Sequence, residues 1–285
     1  MIYAKLQGRI GNIMFIVAAA ASIAKKLNQK YCLACHTDYK LVGGITIWEY
    51  VQQFRDNLLS GFDIIPELPS GLPKVKQNGF NYSELEFPDS DFILEGAFQT
   101  SKYFDADIVQ KLFYNKKILS EIKGNNKEAF SAPITSIHVR RGDYCYIPHR
   151  FPPISRSYIR HAMKMFPKGT RFLFISDDME YCKKYFKGEN IYYLENSSIL
   201  YDLFAPSLCE NNVISNSSFT WWGAYLNPHP DKKVIAPTPW FGKYEKVDTS
   251  DLVPENWIRL KNHLDPNLWI KAKRMGVLTH LGIIK

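Results

Sequence analysis

Residues 2–35, IYAKLQGRIGNIMFIVAAAASIAKKLNQKYCLAC, carry the pattern that decides the fold. Residues 2–6 read as a short strand. A tight turn over 7–11 holds Gly8 and Gly11, and an alanine-rich helix starting at Asn12 runs over 12–27. Residues 31–35 return to a strand. Strand, turn, helix, strand is the signature of a parallel α/β sheet. The stretch 43–90 is less regular, with several Pro and Gly; a further strand is expected over 92–97 and a helix over 105–113 capped by Asp105. The polar stretch 123–133, KGNNKEAFSAP, marks a boundary. Beyond it the alternation restarts, with strands over 134–139, 171–176, 191–193, 213–215 and 234–236. Helices are expected between them over 155–166, 179–186, 199–209 and 219–226. This half reads as a doubly wound nucleotide-binding domain. The organisation expected is a first α/β domain over 1–125 and a second over 133–265, with the tail 266–285 able to cross back onto the first.

Composition narrows the classes. Of 285 residues, 46% are apolar and 22% charged, which excludes disorder, coiled coil and collagen-like repeats. Aromatics at 14% are enough to furnish a large core or a sugar-binding cleft. The net charge of +8 points to nucleic acid, an acidic membrane face or an anionic small molecule. No basic run exceeds two residues, which argues against a nucleic-acid arm. The longest apolar run, 14–24, is broken by Ser22 and ended by Lys25-Lys26, short of the ~20 residues a bilayer span needs. A signal peptide would need a basic flank before the run and a small-residue cleavage site after it; Arg9 precedes the run, but Asn12 and Asn28-Gln29-Lys30 read as the two ends of an amphipathic helix. The expected location is the cytoplasm, with peripheral attachment at the inner membrane face left open. Five cysteines in a long chain disfavour a disulfide framework. Cys32-Leu33-Ala34-Cys35-His36 matches a haem-attachment spacing, but residues three apart on a strand face opposite sides.

Three stretches can carry chemistry. His138-Val139-Arg140-Arg141-Gly142-Asp143-Tyr144 stands where a buried strand gives way to a loop, and ligands of open α/β sheets bind there. Two adjacent guanidiniums can grip a diphosphate through forked hydrogen bonds, Gly142 lets the backbone pass close beneath it, and Asp143 adds a carboxylate. A plain surface ion pair is the competing reading. Asn216-Ser217-Ser218-Phe219-Thr220-Trp221-Trp222-Gly223 opens a helix after a strand, so Ser217, Ser218 and free backbone N–H groups form either an anion site or an N-cap. Gly8-Arg9-Ile10-Gly11-Asn12 is neither a dinucleotide fingerprint nor a phosphate loop. Two acidic triplets, Asp89-Ser90-Asp91 and Asp105-Ala106-Asp107, fall at a strand's amino end and at a helix cap. Asp177-Asp178 ends a strand and starts a helix, so capping competes there too. No metal is assigned.

Together these stretches resemble glycosyltransferase family 11, the α-1,2-fucosyltransferases. The opening turn from Gly8 to Phe15, the His138 to Tyr144 motif, Phe174-Ile175-Ser176-Asp177-Asp178, Tyr201-Asp202-Leu203 and Asn216 to Leu226 match its motifs in order. Departures are Ile13, where the family usually has glutamine, and Ile16-Val17, where it has Gln-Tyr. The resemblance implies an α/β fold of GT-B type, with two Rossmann-like domains facing a cleft. It implies a GDP-fucose donor, a glycan acceptor with terminal galactose, inversion at the sugar carbon, and neither metal nor cofactor. Fucosyl transfer builds positive charge on the sugar while the diphosphate leaves with negative charge. Without a metal, arginine and helix N–H groups must meet that charge, which Arg140, Arg141, Ser217 and Ser218 can do. His138 and Asp202 correspond to guanine-contacting positions, and Gly11 and Asn12 join the donor set. For the base that takes the acceptor proton the choice is Asp143, which a neighbouring Arg140 weakens as a base, then His149. A mechanism in which the leaving phosphate takes the proton also stays open. Rival classes are a nucleotide-binding regulatory protein without turnover and, behind it, a nucleic-acid binder.

Overall fold

A strand buried on both faces needs apolar helices above and below it, and this chain supplies that pattern twice. The computed structural model describes residues 1–36, 40–41, 44–195, 198–243 and 245–280. The chain falls into two compact units. One is Met1–Asn115 with Asp248–Pro254; the other is Lys116–Val247 with the chain from Glu255 onward.

In the first unit the elements are β1 (Ile2–Lys5), α1 (Ile10–Leu27), β2 (Tyr31–Ala34), α2 (Ile47–Gln52), β3 (Ile64–Ile65), β4 (Lys74–Lys76), β5 (Phe92–Glu95) and α3 (Ala106–Phe113). All five strands pair in parallel, in the order β3-β2-β1-β5-β4. Helix α1 begins two residues earlier than expected. Gly8, at φ +74°, turns the chain, Arg9 takes the cap position with extended backbone, and Asn12 and Ile13 donate N–H to the Arg9 carbonyl. Asn28 ends the helix in the left-handed conformation behind Lys25 and Lys26, which favour the negative end of the dipole. By length and composition α1 could cross a membrane, yet 72% of it is buried, against β1, β2 and α3. The acidic triplets find ordinary partners. Asp105 caps α3 by accepting from Asp107 N, and Asp91 pairs with the amino terminus at 2.7 Å.

The second unit contains α4 (Lys116–Asn125), β6 (Thr135–Val139), α5 (Arg156–Met163), β7 (Phe172–Ser176), α6 (Met179–Tyr185), β8 (Ile191–Tyr193), α7 (Ile199–Phe204), β9 (Asn211–Val213), α8 (Ser218–Tyr225), β10 (Val234–Thr238), β11 (Ile258–Lys261) and α9 (Pro266–His280). Its six strands run β8-β7-β6-β9-β10-β11, every pair parallel. That is the 3-2-1-4-5-6 order of a Rossmann sheet. β6 is buried along its whole length, and Ile137, Val139, Tyr158, Phe174, Val213 and Ile235 belong to one core. α7 stops before Pro206 and continues as a 3-10 turn over Ala205–Leu208.

Two segments expected beside the first unit pack in the second instead. α4 buries Ile118 and Ile122, and Tyr201 of α7 hydrogen-bonds Glu121 and Asn125. Lys271 of α9 donates to the Cys145 carbonyl at 2.9 Å. Residues 281–285 of the expected tail lie outside the described residues. The fold class is α/β with two Rossmann-like domains, the GT-B type.

Candidate active site

Because the strand order reverses between β6 and β9, the loops leaving their carboxyl ends diverge and open a crevice. Those loops are the stretches 140–145 and 214–217. The sequence motifs therefore come together across the switch point, although they lie more than 70 residues apart. His138 in β6 meets Ser215 beyond β9, with Nδ1 2.8 Å from the serine oxygen. Burial, then the charge of Arg140, pushes the His138 pKa down to about 3, so this imidazole is neutral.

Beyond β6 the two arginines are held by carboxylates. Arg140 Nη2 donates to Asp143 Oδ1 at 2.6 Å, and Nη1 forms an ion pair with Asp177 Oδ2, 2.7 Å away. Arg141 donates its backbone N–H to Asp177 Oδ1 at 2.9 Å and Nε to Asp178 Oδ2 at 3.2 Å. The Arg141 guanidinium lies 3.6 Å from the centre of the Tyr181 ring, and Arg140 lies 5.3 Å from that of Tyr144. Arg141 Nη1 is buried without an acceptor. Gly142 is required by space: a Cβ there would stand 2.5 Å from Asp177 Oδ2. The competition at Asp177-Asp178 divides between the two residues. Asp178 caps α6 by accepting from Tyr181 N, while Asp177 serves the arginine loop. Among the described residues, no three His, Cys, Asp or Glu side chains are grouped to hold a metal ion.

On the β9 side, Ser217 occupies the cap position of α8 with extended backbone, and its hydroxyl makes no capping bond. The Tyr144 hydroxyl donates to the Asn216 carbonyl at 3.3 Å and meets the Ser217 side chain, and burial pushes its pKa up to about 12. The two loops are thus tied together by His138–Ser215 and Tyr144–Asn216. Asn216 is buried, donates to the Trp240 carbonyl at 2.8 Å, and leaves Oδ1 unpartnered. The first turn of α8, starting at Ser218, offers backbone N–H donors and the positive end of a helix dipole to this crevice.

The remaining sequence candidates are spread more widely. Asp202 sits half-buried in the first turn of α7, which packs against α8. His149 is buried, with neither ring nitrogen hydrogen-bonded; burial first and Arg150 second hold its pKa down, partly offset by Glu245. Its backbone is pinned by Gly242, where a Cβ would fall 1.7 Å from the His149 carbonyl oxygen. Gly11 and Asn12 belong to the first unit, in the first turn of α1, where Asn12 Oδ1 accepts from Gln99 Nε2 at 3.0 Å. Nearby, buried Gln77 accepts from both Ala97 N and Phe98 N and steadies Phe98 at φ +51°, a rare conformation for an aromatic residue. Sequence reasoning missed Gln77, Tyr181, Ser215 and the grip of Asp177. Only the strand-end position of Asp177 hinted at its role.

The glycosyl transferase family 11 model matches residues 78–261. The chain belongs to glycosyltransferase family 11. The match contains every second-unit residue of the candidate site and begins beyond Gly11 and Asn12. The O-antigen biosynthesis glycosyltransferase WbnK of Escherichia coli is 30% identical over 90% of this chain and 100% of its own length. An α-1,2-colitosyltransferase of Escherichia coli is 27% identical over 92% of this chain and 99% of its own. Among solved structures, the fucosyltransferase NodZ from Bradyrhizobium is 13% identical, covering 78% of this chain and 91% of that one with a TM-score of 0.48. As a family 11 member the protein is a glycosyltransferase, and the crevice between β6 and β9 is its candidate donor site.

Proposed function

We propose that this glycosyltransferase moves L-fucose from GDP-fucose to a glycan hydroxyl, O2 of a terminal galactose, with inversion and without a metal. The observation that carries the reading is the arginine pair at the switch point of a 3-2-1-4-5-6 sheet, facing the start of α8. A leaving diphosphate needs fixed donors where its charge develops. Arg140 and Arg141 supply forked cations, Arg141 keeps a buried donor without an acceptor, and Ser217 and Ser218 add the helix start. In this reading His138 and Asp202 contact guanine, a carboxylate accepting from its N1–H and N2–H groups. Asp143 takes the acceptor proton, His149 being the second choice, and Gly11 and Asn12 are assigned to the donor set. The work is placed in the cytoplasm.

The relative that transfers colitose favours one variant of this reading: another GDP-linked deoxy-L-sugar in place of GDP-fucose, on the same phosphate grip. The test is turnover by the purified protein with GDP-fucose and GDP-colitose as donors and excess EDTA present, beside thermal shifts with GDP and UDP. Turnover in EDTA and protection by GDP well above that by UDP are expected. Equal protection by UDP would sink the guanine assignment. Turnover that stops in EDTA and returns with manganese would overturn the metal-free mechanism.

A further inference from the structure

Three of the four most exposed large apolar side chains among the described residues lie in one patch: Tyr146 at 72%, Trp269 at 55% and Ile270 at 53%. Val277 follows at 45%. At 100° per residue, Trp269, Lys273, Val277, Ile270 and Arg274 succeed one another within about 140° of the circumference of α9, with Lys271 about 60° beyond Arg274. Ala272, across the helix from this arc, and Gly276, beside Trp269 at its edge, are buried. Lys271 joins Tyr146 to this face: its ammonium lies 5.4 Å from the ring centre and donates to the neighbouring Cys145 carbonyl. α9 contains no Asp or Glu. Asp265, just before it, lies 3.9 Å from Arg156.

From this face we infer a docking surface for an anionic lipid bilayer. Tryptophan and tyrosine side chains settle at the boundary between headgroups and acyl chains, because one part of each ring system is apolar and another hydrogen-bonds. Interleaved Lys and Arg reach the phosphates just outside, and a purely cationic set is drawn to anionic lipid. Charge argues against a second copy as the occupant. A two-fold contact through this face would bring six cations together with no carboxylate of α9 between them. A protein partner fits less well, since interface cores are depleted in lysine. Tyr146 follows directly on the Asp143–Cys145 turn, so the docked face adjoins the candidate donor loop. The surface does not depend on the donor assignment.

The test is cosedimentation of the full chain with vesicles of phosphatidylcholine alone and of phosphatidylcholine mixed with phosphatidylglycerol. Binding is expected to the mixed vesicles only, and to weaken as salt rises. Lys273→Glu with Arg274→Glu should lower the partition coefficient roughly 10-fold or more. Trp269→Ala with Ile270→Ala should weaken it comparably, since each exposed ring or chain loses its burial in lipid. Both variants should keep wild-type melting and wild-type turnover on a soluble acceptor. Failure of the wild type to bind mixed vesicles, or undiminished binding by the charge-reversed variant, would overturn the inference. So would a wild-type dimer in sedimentation velocity that the same variant abolishes, or loss of soluble turnover in a variant that melts normally.

Discussion

Arg140 is held by two carboxylates of different exposure, Asp143 at 42% and Asp177 at 25%, and this asymmetry separates their tasks. Arg140→Ala should cost about 3 kcal/mol of transition-state stabilisation, a loss near 10²-fold in kcat, by analogy with a single oxyanion donor. Arg140→Lys should fail similarly, because a point charge cannot serve two acceptors in a fixed fork. If Asp143 is the base, Asp143→Asn lowers kcat and leaves GDP affinity nearly intact. If it only steadies Arg140, GDP affinity falls instead. Calorimetry with GDP beside steady-state kinetics separates these, and wild-type values on both would move suspicion to His149. Asp177 is the firmer anchor. Its Oδ2 is fixed by Arg140 and would stand 2.5 Å from a Cβ on residue 142, so it cannot swing aside without releasing the guanidinium. Gly142→Ala should therefore weaken GDP binding strongly in the wild type and much less in an Asp177→Ala background. A coupling of about 1 kcal/mol or more is expected from the four-variant cycle; additive losses would mean that residue 142 acts through something other than Asp177.

At the scale of elements, the site depends on how firmly the end of β9 is held. Tyr158 of α5 is wholly buried and donates to the carbonyls of Ile214 and Ile235, 2.9 and 3.1 Å away, tying the chain just before Asn216 to β10. Tyr158→Phe keeps the ring and removes the hydroxyl donor from the Ile214 carbonyl, while the Ile235 carbonyl keeps the Ile214 N–H at 2.9 Å. The substitution should cost about 1–3 kcal/mol by urea denaturation, with turnover falling because Asn216 to Ser218 loosen; unchanged stability would show that the Ile214 carbonyl finds another donor. The same elements show what a sequence discloses. β6 and β7 were legible because each is a run of buried residues ending in charge, and α5 because Ser155 caps it. β3 and β4, of two and three residues, are too short to show a period, and β11 alternates half-buried with exposed residues like a surface loop. α4 and α9 carry too many polar residues to show their buried faces without knowledge of what covers them. The arginine motif was legible because its residues are adjacent. Its anchor was not, because Asp177 is 36 residues further on and arrives through the β6–β7 pairing.

For the molecule as a whole, the buried histidine at the switch point ties stability to pH. In the unfolded chain His138 titrates near 6.5, and in the fold burial and Arg140 bring it to about 3. Between those values the unfolded state binds one proton that the folded state refuses, so the free energy of unfolding rises with pH across the window. Read downwards, acidification from about 6.5 towards 3 erodes stability by up to about 1.4 kcal/mol per pH unit from this residue alone. Above 6.5 the contribution is flat. His149 is shifted in the same direction and adds to the trend, while carboxylates with lowered pKa, such as Glu95 and Asp251, begin to lose their stabilisation below their ordinary values of 4.5 and 3.8, in the lower part of the same window. The part due to His138 is isolated by difference. His138→Gln keeps a neutral polar group opposite Ser215 and removes the titration. Its unfolding free energy, measured by urea denaturation from pH 7.5 to 4.5, should therefore fall less steeply than the wild type's below pH 6.5, with the two curves parallel above it. Curves that stay parallel through the acid range would mean that His138 takes up its proton within the fold, and that burial at the switch point does not hold it neutral.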